Sequence, residues 1–531
     1  MSSDKSRQLN PFEIKREISR FVSSVGKSKV LITEDEFALL DSQENKDDIV
    51  KLLLKEFKRC NDSIMAEIKI LLERYAETDY LVHEMENILT DNTNSNNLKL
   101  HAIELLSHIN KNWQEENYQQ YLEYDEEKTF LDTKNFLQNS KSNPEIQLDF
   151  LDFLATISDS DKYTLLEAMA EDQSGGDIAN ILVPVFLSYT DSPIGIYALN
   201  LLKSTKSTYA YRSLAEVYDI LKEDLKPVVK KCLTELKFSG ADRVSEKIHD
   251  YTSAKFSFVP PDADGSYCLF YEKKYDMNGE LKADFFSAVI DDYKGIDECI
   301  GFIGVSEFEL SVFREKLLDE CTDVEISPIM FKYFLRKAEE LSYKHSAPPY
   351  EYNCWKQLFL DIPLQNFDFD EILSPIFKVK KYTEYELADI FDENFTAYWF
   401  YPSDFSDEAR EFYNAVNQDF LQPDFKKTDL FSLIKKGIYL IIDEKESLNW
   451  HERLLISAFY CHNNKAEKSA MILYSISKDK HNQKIFYEYL IKYSIFHYFY
   501  ELESERDYSM FTKNKLADIL KFLSKEWGFY V

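Results

Sequence analysis

Along the first half of the chain apolar positions recur on the helical period, and the pattern itself repeats. Residues 98–109, 146–157 and 194–205 align position by position, with starts 48 residues apart. Position three reads Leu100, Leu148 and Ile196; position five reads Ala102, Phe150 and Ala198; position six reads Ile103, Leu151 and Leu199. Positions eight and nine read Leu105-Leu106, Phe153-Leu154 and Leu201-Leu202. These spacings make one broad apolar helix face, and Glu104, Asp152 and Asn200 share an outward slot. A partial copy follows 34 residues on, where Cys232, Leu233 and Leu236 match Ala198, Leu199 and Leu202. Second helices are predicted at 163–170 and 178–189, and Asp191-Ser192-Pro193 reads as a cap followed by a first-turn proline. Upstream, 49–57 and 64–75 are helical without matching the repeat, and 91–97 reads as a loop.

Helical hairpins of this length bury their apolar faces only by stacking on neighbours. On these residues the stretch 45–245 resembles HEAT-like repeats of the armadillo-like class, including the PBS-lyase-type variety. The resemblance implies a superhelical α-solenoid used as a binding scaffold, and it implies no activity.

Near residue 253 the period changes. Lys255–Val259, 266–272 and 284–290 are short runs rich in Phe, Tyr and Val. Asp262-Ala263-Asp264-Gly265 marks a turn before the second run, and Asn278-Gly279 between the second and third is a hairpin signal. After 300–303 a helix is predicted, with Ser306 and Glu309 as a capping box. This stretch also resembles a module that follows helical repeats in uncharacterised bacterial proteins. The likeness lies in Asp264-Gly265-Ser266, the strand 285–291, and Gly295-Ile296 leading to Gly301-Phe302. It carries no activity over. From Ile326 onward the pattern is helical again, with segments at 329–341, 352–360, 385–391, 407–420, 430–442, 450–461, 467–476, 483–499 and 513–523.

The fold class is therefore mainly α: a HEAT-like α-solenoid, then a small antiparallel α+β module, then a second helical region. The segments run 1–44, 45–250, 253–320 and 325–531. Only 12 Gly and 14 Pro in 531 residues argue against a turn-rich all-β fold.

Charge narrows the partners. Asp and Glu number 94 against 63 Lys and Arg, a net charge of −31. Such a surface repels phosphate, and no basic patch interrupts it, so neither nucleic acid nor an anionic membrane is expected as a partner. A protein or peptide partner, basic in character, is. The seven cysteines are scattered with no CxxC pair, and residues 1–10 lack the apolar core of a signal peptide. Both point to a cytoplasmic protein.

Candidate chemistry is sparse. Gly26-Lys27-Ser28 ends like a phosphate-binding loop, but the glycine required five positions before Gly26 is Phe21. Asp262-Ala263-Asp264-Gly265 has the look of a calcium loop, yet Pro260 and Tyr271 stand where the first and twelfth ligands belong. His101 and His108 share a helix face without a third ligand, and Cys461-His462 are adjacent. No metal, cofactor or catalytic residue is expected. Asp291, Asp292, Asp297 and Glu298 form the densest acidic cluster, readable as a solvated loop or as a contact for a cation or a basic peptide. Two aromatic runs stand out, Tyr398-Trp399-Phe400-Tyr401-Pro402 and residues 496–500. Exposed aromatics mark interfaces, so Tyr398, Trp399, Phe400 and Tyr401 are the candidate partner-binding residues. The function expected is a non-catalytic interaction scaffold. The alternative is an enzyme whose site is assembled between the small sheet module and the C-terminal helical region.

Overall fold

The computed structural model describes residues 11–25, 34–43, 46–59, 62–91, 93–109, 121–122, 126–141, 143–172, 176–243, 248–277, 279–318 and 321–529. Residues 1–10, Gly26-Lys27-Ser28, Cys60 and Asn278 lie outside them.

The chain divides into two compact units. The first comprises residues 1–136 with Met277–Lys282 and Gly304–Phe313. The boundary thus falls inside the stretch read as repeats. Its helices are α1 (Pro11–Val25), α2 (Glu34–Asp41), α3 (Lys46–Phe57), α4 (Asp62–Tyr75), α5 (Thr78–Thr90) and α6 (Asn96–Ile109). Ile14, Ile18 and Phe21 recur at i, i+4 and i+7, so α1 buries one stripe in a core with Leu53, Phe57, Leu72, Met85 and Leu106. Phe21, where a phosphate loop needs glycine, is a core residue at 3% exposure.

The second unit comprises Leu137–Asp276, Ala283–Ile303 and Arg314–Val531. Helix α7 (Glu126–Ser140) runs into it, followed by α8 (Pro144–Thr156), α9 (Asp159–Asp172), α10 (Ala179–Ser188), α11 (Pro193–Leu202), α12 (Thr208–Val217) and α13 (Lys226–Phe238). The repeat copies are therefore α6, α8, α11 and α13. Slots five, six and nine are buried in all three full copies: Ala102, Ile103, Leu106; Phe150, Leu151, Leu154; Ala198, Leu199, Leu202. Slots three and eight are not: Leu100 is 49% and Phe153 is 51% exposed. The inward stripe is narrower than the apolar pattern suggests, because slots five, six and nine cluster within about a quarter of the helical wheel while three and eight flank it. Ser192 precedes α11 and Pro193 takes its first turn, but the Ser192 hydroxyl makes no capping bond.

A five-stranded antiparallel sheet follows, in the order β4-β3-β2-β1-β5. Its strands are β1 (Lys255–Val259), β2 (Ser266–Met277), β3 (Glu280–Asp291), β4 (Gly295–Ser306) and β5 (Val324–Glu325). The two-residue β5 is too short to leave a periodic signal in the sequence. Helix α14 (Glu307–Leu318) lies between β4 and β5, and its capping box forms as expected: Glu309 N–H donates to Ser306 Oγ (3.3 Å) and Ser306 N–H to Glu309 Oε2 (2.9 Å).

The remaining helices are α15 (Pro328–His345), α16 (Tyr350–Trp355), α17 (Phe369–Leu373), α18 (Glu384–Ala388), α19 (Asp407–Leu421), α20 (Leu430–Ile441), α21 (Glu444–Asn463), α22 (Glu467–Lys478), α23 (Lys480–Ser504) and α24 (Lys513–Trp527). One core joins them to the sheet. Phe256 packs on Phe331 of α15 at 5.0 Å between ring centroids, and Phe286 on Phe359 at 5.3 Å. Gly301 on β4 is fixed by the same packing: a Cβ there would stand 2.2 Å from the Trp355 ring. Among the described residues no helix is long and apolar enough to cross a membrane.

Candidate functional site

Helix α21 carries a buried stripe of Glu446, Trp450, Arg453 and Ser457, spaced 4, 3 and 4 residues apart. Two of those four side chains are charged, which an apolar core excludes unless they are paired. The helix begins at Glu444, capped by Asp443, whose Oδ1 accepts the Glu446 N–H at 2.6 Å. Glu446 therefore sits in the first turn, upstream of the start at Trp450 read from the sequence.

Arg453 is 1% exposed. Its guanidinium meets Asp292 side on, Nε to Oδ2 at 2.7 Å and Nη2 to Oδ1 at 2.9 Å. Nη1 donates to Glu446 Oε1 (2.7 Å) and to the Ala263 carbonyl (2.8 Å). Its carbon lies 5.4 Å from the Trp450 ring centroid and 5.6 Å from that of Tyr293, a distance at which ring faces favour a cation. Glu446 accepts from Tyr401 on Oε1 (2.5 Å) and from the Tyr293 hydroxyl on Oε2. The planar fork of arginine suits this arrangement; a lysine ammonium offers no bidentate geometry.

The turn 262–265 supplies the other wall. Ser266 N–H is shared between Asp262 Oδ1 (2.8 Å) and Asp264 Oδ1 (3.0 Å). Gly265 has φ +91, a conformation L side chains avoid, and a Cβ there would stand 2.1 Å from Asp292 Oδ1 and 2.8 Å from Arg453 Nη2. Glycine is thus required twice over. The stretch is a turn that approaches an ion pair.

Electrostatics follow from burial. Asp262 is pushed up to about 9, first by desolvation and then by Asp264 beside it. For Asp264 burial works upward, but the hydrogen bond from Asp262, Ser266 and the Arg453 charge hold it below its ordinary value. The two carboxyls therefore share one proton. Burial also raises Glu446 to about 7 against the pull of Arg453, and raises Asp292.

Two depressions open on this cluster. One, of about 200 Å³, is bordered by Asp292, Lys337, Lys344, Glu452 and Arg453. The larger, of about 670 Å³, is faced by Asp264, Asp291, Asp404, Glu408, Asp443 and Glu446. Two lysines share its wall, and both are engaged: Lys294 pairs with Asp291 at 3.1 Å, and Lys445 lies 4.7 Å from the Tyr293 ring centroid.

The aromatic run 398–401 is placed differently from expectation. Trp399 and Tyr401 are each 0% exposed, whereas Tyr398 is half exposed and Phe400 part-buried. The proline-bearing loop leaves the Tyr398 ring outside but turns Trp399 and Tyr401 into the core. Trp399 Nε1 donates to the Pro261 carbonyl (3.2 Å), and the Tyr401 hydroxyl accepts from Trp450 Nε1 (2.5 Å) while donating to Glu446. Two of the four candidate partner-binding residues are thus supports of the Arg453 cluster. The acidic cluster splits likewise: Asp291 and Asp292 turn inward, Asp297 and Glu298 are exposed. His101 and His108 go to separate glutamates, Glu104 (3.4 Å) and Glu73 (3.0 Å).

Arg453 and Glu446 escaped the sequence reading, although a Glu and an Arg seven residues apart on an apolar stripe is a usable sign of a buried ion pair. Compared with the models of known families, with curated proteins and with solved structures, the chain matches none.

Proposed function

We propose that the chain is a non-catalytic interaction protein whose helical repeats form a HEAT-like solenoid and whose acidic cleft receives a basic protein segment. One observation carries the reading. The 670 Å³ cleft is faced by six carboxylates, and its two lysines are already engaged by Asp291 and Tyr293. An excess of negative charge in a low-dielectric concavity focuses the field on an incoming cation. The chain charge of −31 adds long-range attraction for the same partner. Burial of the same three slots in α6, α8 and α11 supports the repeat reading.

The enzyme alternative draws on the proton shared by Asp262 and Asp264 at the cleft wall. Against it, the groups with displaced pKa values are occupied by their own chain. Both Glu446 oxygens accept tyrosine hydroxyls, Asp292 is filled by Arg453, and the Asp262–Asp264 pair holds the Ser266 amide. These groups with displaced pKa values shape the cleft, and each is already engaged by its own chain.

The test is binding of a labelled Lys/Arg-rich peptide to the full chain, followed by anisotropy. Asp404 and Glu408 are exposed, so Asp404→Lys with Glu408→Lys alters the cleft without touching the core. The double variant is expected to bind about tenfold more weakly, and wild-type binding to fall as salt rises. Equal affinity of a folded double variant for the peptide would refute the assignment of this cleft.

A further inference from the structure

The second aromatic run of the sequence, residues 496–500, has a different fate from the first. Phe496, His497 and Tyr500 on α23 border a cavity of about 990 Å³. Its other rings come from Tyr385, Phe391, Tyr489, Tyr493, Trp527 and Phe529. The rings form a contiguous array, with Phe391 to Tyr489 at 4.5 Å, Tyr493 to Phe529 at 5.7 Å and Tyr493 to His497 at 5.0 Å between centroids. Phe400 from the first run stacks flat on His497 at 4.1 Å and fixes that ring in place.

The charged residues that line this cavity have one sign. Glu384, Asp389 and Asp392 stand at its rim, and among the described residues no lysine or arginine lines it. Lys492 and Lys468 pair with Glu384 and Asp389. Asp392 is exposed and has no such partner among the described residues. His497 adds no positive charge, because burial pushes its pKa down to about 4, and its Nδ1 is buried without a hydrogen-bond partner. The phenols of Tyr489 and Tyr493 are raised by burial, so both rings stay neutral and electron-rich.

The geometry points to a binding site for an organic cation, an ammonium group carrying methyl or other short alkyl substituents. Ring faces attract such a cation through their quadrupoles while its alkyl groups fill apolar space, and a nearby carboxylate adds Coulomb attraction. An anion finds no cation in the lining among the described residues and meets the carboxylate of Asp392. A small inorganic cation meets too few oxygens to replace its water. A neutral apolar ligand gains nothing from the acidic rim.

The experiment titrates the full chain with choline, with its uncharged carbon isostere 3,3-dimethylbutanol, and with a peptide bearing trimethyllysine, following Trp527-linked fluorescence and heat. Choline or the peptide is expected to bind at least about tenfold more tightly than the isostere. Binding of choline assigns a small alkylammonium as the source, and binding of the peptide alone assigns a methylated protein side chain. Asp392→Asn and Tyr500→Leu, both at exposed positions, are each expected to weaken the cation several-fold and to leave the isostere unchanged. Equal binding of cation and isostere overturns the proposal, as does failure of both cations to bind at about 10 mM, the weak end of specific recognition.

Discussion

Arg453 and Asp292 stand 161 residues apart in sequence and meet in a two-point ion pair, with Nε to Oδ2 at 2.7 Å and Nη2 to Oδ1 at 2.9 Å. The pair ties helix α21 to the turn after β3, and the same guanidinium holds the Ala263 carbonyl of the turn before β2. One side chain thus links two turns of the sheet to helix α21, whose first turn lines the cleft.

Removing the cation is therefore costly. Arg453→Met leaves Asp292 and Glu446 without their cation, although Glu446 keeps its tyrosine hydrogen bonds, and breaking a buried pair from one side costs about 3–5 kcal/mol. Urea unfolding of the second unit's core is expected to shift by that amount. Adding Asp292→Asn to the Arg453→Met chain should recover part of the loss, since the two residues are coupled. A loss below about 1 kcal/mol for the single variant would show that the pair does not hold the junction.

How much of this was legible in the sequence depends on range. The Ser306–Glu309 box was legible because it is encoded within four residues. Slots five, six and nine of the repeat were legible because burial imposes a helical period. The Arg453 cluster was not, because nothing local relates residue 453 to 292 or to 263. Trp399 and Tyr401 misled for a related reason. A Pro-bearing aromatic loop resembles an exposed one until partners such as Trp450, Pro261 and Glu446 are known. Helix α21 was read as starting at Trp450, which left Glu446 outside the stripe it completes.

Asp262 makes stability depend on pH in alkaline solution. Its folded pKa of about 9 lies far above the ordinary carboxylate value, so the folded chain keeps a proton that the unfolded chain has lost. Its contribution is complete below about pH 4 and is lost as pH rises through about 9. Glu446 acts in the same sense but is exhausted by about pH 7. Buried His249 and His497, both lowered to about 4, act in the opposite sense, and only below about pH 6.5. The window from about pH 7.5 to 9 is where Asp262 is the shifted carboxyl still titrating. Chemical denaturation across it is expected to show falling stability in the wild type, and a flatter profile in Asp262→Asn. Parallel profiles for the two proteins would contradict the shared proton.

A second buried network makes the last prediction. Glu216 of α12 faces Lys332 of α15 at 2.6 Å and Lys356, beyond α16, at 3.8 Å, while its carbonyl accepts from Arg336 at 2.7 Å. Lys356 also pairs with Glu339, and Arg336 with Glu340 at 3.0 Å. Three cations thus meet three carboxylates; Glu340 reaches solvent, but the side chains of Lys332 and Lys356 are each 4% exposed. Burial pushes the Lys332 pKa down against the pull of Glu216; burial works upward on Glu216 itself, and the two lysines more than reverse it. Glu216→Gln keeps the shape but leaves two buried ammonium groups sharing Glu339. The expected loss is about 3–5 kcal/mol, read by urea unfolding at pH 7. Because a lysine relieved of its counter-charge escapes the penalty by losing its proton, the loss should shrink as pH rises from 7 to 10. A neutral effect at pH 7, or a loss independent of pH, would mean that α12 is joined to α15 by apolar packing alone.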